Sequence, residues 1–207
     1  MAYPDLTTRA AVRAHLQKPT GDTAQDAIID SLISRSSAAI QRYCDREFVS
    51  AQPGTQGSPV ARVFETEVLR DGFLDLAPYD AKAGTITQIR LDTDLDTPRV
   101  LTSSEWRPWP IPARDGVVTA LRVAPTSLGG YHRFRNRQFE VTAQWGWPSV
   151  PYDVEYATIV TTTIWLRREV AAFSTTYNLD EDRVERPEAL PSAVRAMLAT
   201  YRRSTLG

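Results

Sequence analysis

Residues 139–168 predict a strand, a tight corner and a long helix in direct succession, and this order constrains the fold more than any other stretch. Apolar side chains alternate with polar or small ones from Phe139 to Trp147, which is the two-residue period of a half-buried strand. Pro148 and Pro151 then bracket a short turn. Because the proline ring fixes φ near the helical value, Pro151 predicts the start of a helix.

A helix over residues 151–171 is predicted even though its centre has the composition of a strand. Asp153 and Glu155 fall in its first turn, where the helix dipole favours carboxylates, and two arginines fall near the other end. Residues 158–164 are all β-branched, which favours a strand by propensity. Burial against other elements can offset that preference, so we predict a helix.

Two helices are predicted before residue 50. Residues 9–16 follow a pair of threonines that can cap a short helix. A longer helix runs from a cap at Asp22 or Thr23 to about Asp45. Its apolar residues recur at spacings of three and four and form one stripe: Ile28, Ile29, Leu32, Ile33, Ala39, Ile40 and Tyr43.

The middle of the chain contains short strand patterns separated by turns. A loop rich in Pro, Gly, Ser and Gln covers residues 50–60, and Asp71-Gly72 predicts a tight hairpin between its flanking strands. Five or six strands joined in this way favour an antiparallel sheet or a small barrel. The predicted strands are 62–69, 73–77, 85–91, 101–106, 117–123 and 139–147.

Together these elements predict an α+β fold, with a helical core from the N- and C-terminal helices and an inserted antiparallel β-rich lobe. Residues 1–50 form the N-terminal helices of the core, 51–148 the β-rich lobe, and 149–207 the long core helix and a C-terminal helix. The side chains predicted to be buried are Ile33, Ile40, Val154, Ile164, Trp145 and Trp165.

Charge and composition restrict the possible functions. The net charge of −1 argues against a dedicated nucleic-acid coat but allows a local basic patch. No apolar run is long enough to span a membrane, and the N-terminus lacks the apolar segment of a secretory signal. Cys44 is the single cysteine, which excludes an internal disulfide, fits a reducing cytoplasm and is expected to be a small buried residue.

Patterns for catalysis or metal binding are sparse, so we predict no enzyme activity, no metal and no cofactor. His15 and His132 lie on different elements and have no partner at ligand spacing, and His15 is expected at the surface. Asp92, Asp94 and Asp96 alternate as calcium ligands do, but the glycine and distal glutamate of a calcium-binding loop are absent. A solvated edge or turn is the simpler interpretation of these carboxylates.

A basic turn precedes the strand at residue 139. Arg133, Arg135 and Arg137 interleave with aromatic residues, a mixture that nucleic-acid sites tracking the backbone use. The near-neutral charge of the chain favours a solvated hairpin tip instead. Contact with DNA and contact with a neighbouring subunit both stay open.

Two stretches resemble the head–tail connector, or adaptor, proteins of long-tailed bacteriophages. One is Trp145-Gly146-Trp147, followed by Val150-Pro151, an acidic residue and an apolar helix that ends in arginines. The other is Arg42-Tyr43-Cys44, followed by Arg46 and Phe48. The resemblance covers the first 48 residues and about the last 70, and the β-rich middle matches in its general pattern.

The resemblance implies a structural protein of the virion neck, located at the head–tail interface and assembled in the host cytoplasm. It implies a ring, usually of twelve subunits, docked on the portal protein, with genomic DNA passing through the lumen. The opposite face would receive a stopper or another tail-completion protein. A near-neutral chain suits this task because the DNA must slide past without being held.

Two contact surfaces are predicted from this assembly. A ring interface joins two different surfaces, so Arg133, Arg135 and Arg137 would meet Asp92, Asp94 and Asp96 of the next subunit, or face the DNA channel. The apolar stripe of the C-terminal helix must cover its own subunit or a partner, and the resemblance favours the portal. The predicted docking residues are Leu190, Val194, Met197, Leu198, Tyr201, Arg202 and Arg203.

A second function class is a β-rich module with helical flanks that binds carbohydrate or peptide. Trp106 and Trp109 would then form the contact platform. Trp109 stands between two prolines and is the tryptophan expected at an interface. A connector forms rings with its portal and a binding module does not, so the mass of the assembly separates the two classes.

Overall fold

The computed structural model describes residues 3–18, 23–49, 58–65, 72–77, 79–91, 98–111, 113–124, 138–174 and 190–203. The chain forms two compact units. The helical unit consists of Met1–Cys44 and Val150–Arg203, and the β unit is built around Asp45–Ser149. The fold is therefore α+β, as predicted. Within the described ranges, no helix is long and apolar enough to cross a membrane.

Each of the two sequence segments that form the helical unit contributes one short and one long helix in the described residues. These are α1 (Arg9–His15), α2 (Asp26–Cys44), α3 (Tyr152–Ser174) and α4 (Ser192–Leu198). The Thr8 side chain caps α1 as predicted, since its Oγ1 accepts a hydrogen bond from the Ala11 backbone N–H at 3.2 Å. α2 begins at Asp26, a few residues after the predicted caps.

α3 confirms that the β-branched run folds as a helix. Thr158 and Thr161 each donate a hydrogen bond of 2.8 Å to the backbone oxygen four residues earlier, which satisfies their buried hydroxyls inside the helix. The Thr162 hydroxyl lies 2.8 Å from that of Ser36 on α2, and both residues are buried. Contact between α2 and α3 thus stabilises a sequence whose propensity favours a strand.

The core of the helical unit lies between α1, α2 and α3. Ile33, Ile40 and Val154 are buried as predicted, whereas Ile164 is only half-buried. Trp165 is also in this core, which confirms its prediction. The remaining buried members of the cluster are Val12, Ile29, Leu32 and Leu166.

The C-terminal segment, residues 190–203, packs against α3 of its own subunit. Leu190, Val194 and Leu198 are buried, and two further members of the stripe are half-buried. The Arg203 backbone N–H donates to the Cys44 carbonyl at 2.9 Å, so the segment also meets the end of α2. The sequence left open whether this apolar stripe packs against its own subunit or against a partner. In the structure it packs against its own subunit.

The β unit contains three antiparallel sheets in the described residues. The four-stranded sheet has the order β1-β9-β4-β5, the three-stranded sheet β2-β8-β6, and β3 pairs with β7. The strands are β1 (Val60–Glu65), β2 (Phe73–Asp75), β3 (Ala81–Lys82), β4 (Gln88–Leu91), β5 (Arg99–Val100), β6 (Trp106–Trp109), β7 (Val117–Val118), β8 (Ala120–Val123) and β9 (Gln138–Ala143).

The prediction that the two strands flanking Asp71-Gly72 pair as a hairpin is wrong for the described strands. β1 pairs with β9 along its length, and β2 pairs with β8. Phe64 and Phe139 stand opposite each other on β1 and β9, and their rings stack with centroids 5.0 Å apart. A buried aromatic pair between strands distant in sequence therefore outweighs the local turn signal.

Two other strand predictions are wrong because the structure interrupts each of them. Thr102 begins a turn in which its backbone N–H donates to the Glu105 carboxylate at 2.8 Å, so the strands lie on either side, as β5 and β6. The predicted strand 117–123 divides into β7 and β8, which belong to different sheets. Gly116 precedes it with φ of 75°, and a Cβ there would lie 3.0 Å from Pro148 Cγ.

Candidate functional site

The two stretches that carry the connector resemblance meet inside the β unit. The Trp147 backbone N–H donates to the Phe48 carbonyl at 3.0 Å, and the rings of these residues are 5.3 Å apart. Val49 forms an isolated bridge with Gly146. Gly146 has φ of 89°, a backbone conformation that favours a glycine between the two tryptophans. We call residues 46–49, 79–80 and 145–147, with Arg62, the junction.

Asp80 connects both stretches at the junction. Its carboxylate is fully buried and accepts hydrogen bonds from Arg46 Nη1 at 2.7 Å and Trp147 Nε1 at 3.0 Å. Its backbone carbonyl accepts from the Gly146 N–H at 2.7 Å. Sequence reasoning missed Asp80 because its partners lie 34 and 67 residues away and no local motif surrounds it.

A second buried ion pair completes the junction. Arg62 Nη1 lies 3.6 Å from Glu47 Oε2, and its guanidinium lies 3.7 Å from the centre of the Tyr79 ring. Burial raises the pKa of Glu47, and the positive charge of Arg62 lowers it in part. Both junction carboxylates face arginines, so this arrangement holds the backbone segments of the junction in place.

The raised pKa of Glu47 predicts a pH dependence of stability. The folded protein holds a proton on Glu47 above the ordinary pKa of 4.5, so stability is lost as pH rises through the raised value. We expect the free energy of unfolding of wild type, minus that of Glu47→Gln, to fall as the pH rises from 4.5 to the raised pKa of Glu47. Denaturant titrations at a series of pH values measure this difference, and a difference that is flat or rises with pH would contradict the assignment.

The β unit exposes an apolar patch beside its three-stranded sheet. Trp109 is 40% exposed and Ile111 is 60% exposed, and the Trp109 ring packs edge-on against Phe73 at 5.3 Å. Trp106 is half-buried against the core of the β unit. Residues three apart on a strand point to opposite faces, so Trp106 and Trp109 do not form one platform for a carbohydrate. The interface predicted for Trp109 stays a prediction.

The helical unit exposes an aromatic pair at the start of α3. Tyr152 is 76% exposed and Tyr156 is 37% exposed, with their rings parallel and 6.2 Å apart. His15 is exposed, as expected, and its ring meets Tyr156 edge-on at 6.0 Å. The sequence analysis did not predict this pair. The signal for it is the spacing of the two tyrosines, because residues four apart in the first turns of a helix are neighbours on its surface.

The structure places only some of the predicted site residues. Arg133, Arg135 and Arg137, with Asp92, Asp94 and Asp96, all lie outside the described residues, so their contact stays a prediction. Cys44 is buried, and so is Trp145, both as predicted. Among the described side chains, no three or more His, Cys, Asp or Glu residues are grouped to hold a metal ion.

Comparison with known proteins identifies the family. No curated protein sequence matches the chain. Among solved structures, the chain is similar to a chain from the neck of an empty gene transfer agent (GTA) particle, computed with C6 symmetry. That similarity covers 96% of this chain and 91% of the other, with 18% identity and a TM-score of 0.53, which shows a shared fold. The head completion protein family matches residues 5–204, so the chain belongs to this family.

Proposed function

We propose that this head completion protein forms a ring that joins the capsid portal to the tail and surrounds the DNA channel. The protein is a structural component of the virion at the head–tail interface. The observation that carries the proposal is the family match over residues 5–204. The fold shared with a chain from a neck computed with C6 symmetry supports a ring, and a ring of twelve subunits contains a six-fold axis.

The role proposed for the chain is structural and not catalytic. The family is one of virion assembly, and the buried carboxylates at the junction face Arg46 and Arg62. The portal protein would bind one face of the ring and a stopper or tail-completion protein the other, with genomic DNA in the lumen. The net charge of −1 supports passage of DNA through the lumen without tight binding.

The subunit contact proposed for the ring is the basic turn against carboxylates of the next copy. We expect the combined reversal of Arg133, Arg135 and Arg137 to Glu to stop ring formation on the portal, because like charges would then face Asp92, Asp94 and Asp96. Native mass spectrometry of the protein with portal measures this, starting from a subunit of 23.1 kDa. Circular dichroism should stay unchanged. Rings of normal mass from this variant would contradict the proposed contact and favour the interpretation of the basic turn as a solvated hairpin tip.

The portal contact is proposed for residues 188–207, of which the structure describes the C-terminal segment 190–203. Leu190, Val194 and Leu198 are buried in their own subunit, so they are not the side chains that reach the portal. The contact therefore depends on what the segment exposes. Repetition around a ring would turn a weak contact of each subunit into a firm one.

A further inference from the structure

We propose that two exposed surfaces of the described residues meet between neighbouring copies in the ring, one surface from each copy. The first is the outer face of the three-stranded sheet, called the sheet face, and the second is the start of α3, called the tyrosine face. The inference rests on the proposed ring and deepens it, because it names the surfaces that join the subunits. The sheet face consists of Phe73, Arg107, Trp109, Ile111 and Arg122, and the tyrosine face of Tyr152, Asp153, Glu155 and Tyr156.

The register of the three-stranded sheet places two arginines directly opposite each other on the sheet face. Arg122 on β8 stands opposite Arg107 on β6 and, on its other side, opposite Phe73 on β2. Leu74 and Leu121 in the next row are buried in the core of the β unit, so the row of arginines points outward. Like charges directly opposite each other are unfavourable, so this row favours an anionic partner.

Aromatic rings lie beside these two charges. The Arg122 guanidinium lies 5.7 Å from the centre of the Phe73 ring, and the Trp109 ring packs edge-on against the same ring. Across the described ranges, neither arginine of the sheet face lies within 4.0 Å of a carboxylate oxygen. Asp75 shares this face of the sheet, and its carboxylate accepts from the Ala77 backbone N–H at 3.1 Å. The sheet face therefore presents cationic and aromatic groups together.

The tyrosine face presents aromatic groups with the opposite charge. Successive residues are about 100° apart around a helix, so Asp153 and Glu155 flank the stacked rings of Tyr152 and Tyr156 on either side. Asp153 is exposed and Glu155 is half-buried, and each accepts a hydrogen bond of 3.4 Å from a hydroxyl of the helical unit. In the part of the chain that the structure describes, neither carboxylate forms an ion pair.

These two faces are complementary in charge and in chemistry. A cyclic ring joins two different surfaces of identical subunits, so every copy must carry both halves of the contact. Arginines of the sheet face can pair with the carboxylates of the tyrosine face and stack on its rings. Tryptophan, tyrosine and arginine are also the residue types that contribute most at the centres of protein interfaces. A second copy of this chain therefore fits the sheet face.

The exposed apolar side chains favour a second copy over DNA as the occupant of the sheet face. Trp109 is 40% exposed and Ile111 is 60% exposed. The outside of duplex DNA presents phosphate and sugar, which would leave these side chains without an apolar partner. The net charge of −1 also makes the chain a poor electrostatic match for DNA.

Reversing the charge of either face should prevent ring formation on purified portal of the same virus. Arg107→Glu with Arg122→Glu places carboxylates against the acidic tyrosine face, and Asp153→Arg places an arginine against the sheet face. Because like charges across an interface cost several kcal/mol, each variant should reduce the fraction of subunits in rings at least about tenfold. Native mass spectrometry measures this fraction.

Mixing the two variants should restore the rings. In a ring with an even number of subunits the variants can alternate, so that every contact again joins a cationic face to an anionic one. With one variant labelled with ¹⁵N, native mass spectrometry should show rings that contain equal numbers of both. A variant that has merely lost its fold is not rescued in this way. Loss of rings from both variants without recovery in the mixture would overturn the inference.

The matched control is Arg42→Glu with Arg167→Glu, which reverses two exposed charges of the helical unit away from both faces. It should form rings within about twofold of wild type, and all variants should keep the wild-type circular dichroism. Equal loss of rings from the control would overturn the inference. Normal rings from the Arg107/Arg122 variant that bind duplex DNA more weakly than wild-type rings would also overturn it and assign the sheet face to DNA.

Failure of the wild-type protein to form rings on the portal is a separate outcome. That result would overturn the proposed function and this inference with it. Wild-type rings that neither charge reversal changes would leave the proposed function in place and overturn the inference alone.

Discussion

Replacing Ile40 with aspartate is expected to unfold the helical unit. Ile40 has no exposed surface and lies on α2, the helix that packs against α3. An unpaired carboxylate in an apolar core costs several kcal/mol, which is a large part of the roughly 5–15 kcal/mol that stabilises a domain. Circular dichroism and a denaturant titration measure the loss.

Ser31→Asp is the matched control for this substitution. Ser31 is exposed on the same helix, so the same charge meets water, and its effect should stay within about 0.5 kcal/mol. An Ile40→Asp variant with the stability of wild type would show that α2 does not bury this face, and the described core would then be wrong.

Replacing Asp80 with alanine is expected to destabilise the β unit by about 3–5 kcal/mol. The substitution removes the carboxylate that Arg46 and the Trp147 indole N–H both contact, inside a site with no exposed surface on Asp80. The cost of a broken buried ion pair comes mainly from the charge that stays behind. Denaturant unfolding followed by tryptophan fluorescence measures the change.

The control is Asp30→Ala, the same truncation at a surface ion pair. Asp30 accepts a hydrogen bond of 2.8 Å from Arg9 Nε, and the two side chains are 47% and 44% exposed. An exposed pair contributes about 0–1 kcal/mol, so this variant should stay close to wild type. Similar losses from Asp80→Ala and Asp30→Ala would mean that the junction does not hold the β unit together.

Elements with local signals could be predicted from the sequence. The Thr8 cap fixes the start of α1, and Pro151 with the first-turn carboxylates fixes the start of α3 to within a residue. The alternating residues of β9 are buried at Phe139, Val141 and Ala143 as the two-residue period requires. These signals lie within a few residues of the feature that they predict.

Features that depend on distant partners could not be predicted in this way. β1 pairs with β9, which lies on the far side of β2 to β8 in the sequence, and no turn signal marks that pairing. Asp80 and Arg62 make their junction contacts only because the fold brings residues 46–48 and residues 145–147 together. The resemblance motifs identified both stretches but not their contact. The hydrogen bond from the Tyr43 hydroxyl to the Arg195 carbonyl likewise joins α2 to a segment more than 150 residues later.

Electron microscopy of the protein mixed with purified portal of the same virus tests the central claim most directly. The expected result is a ring of this protein stacked coaxially on the portal ring, with an open channel wide enough for duplex DNA. Portal rings without an added layer, at protein concentrations where the mixture is saturated, would contradict the account.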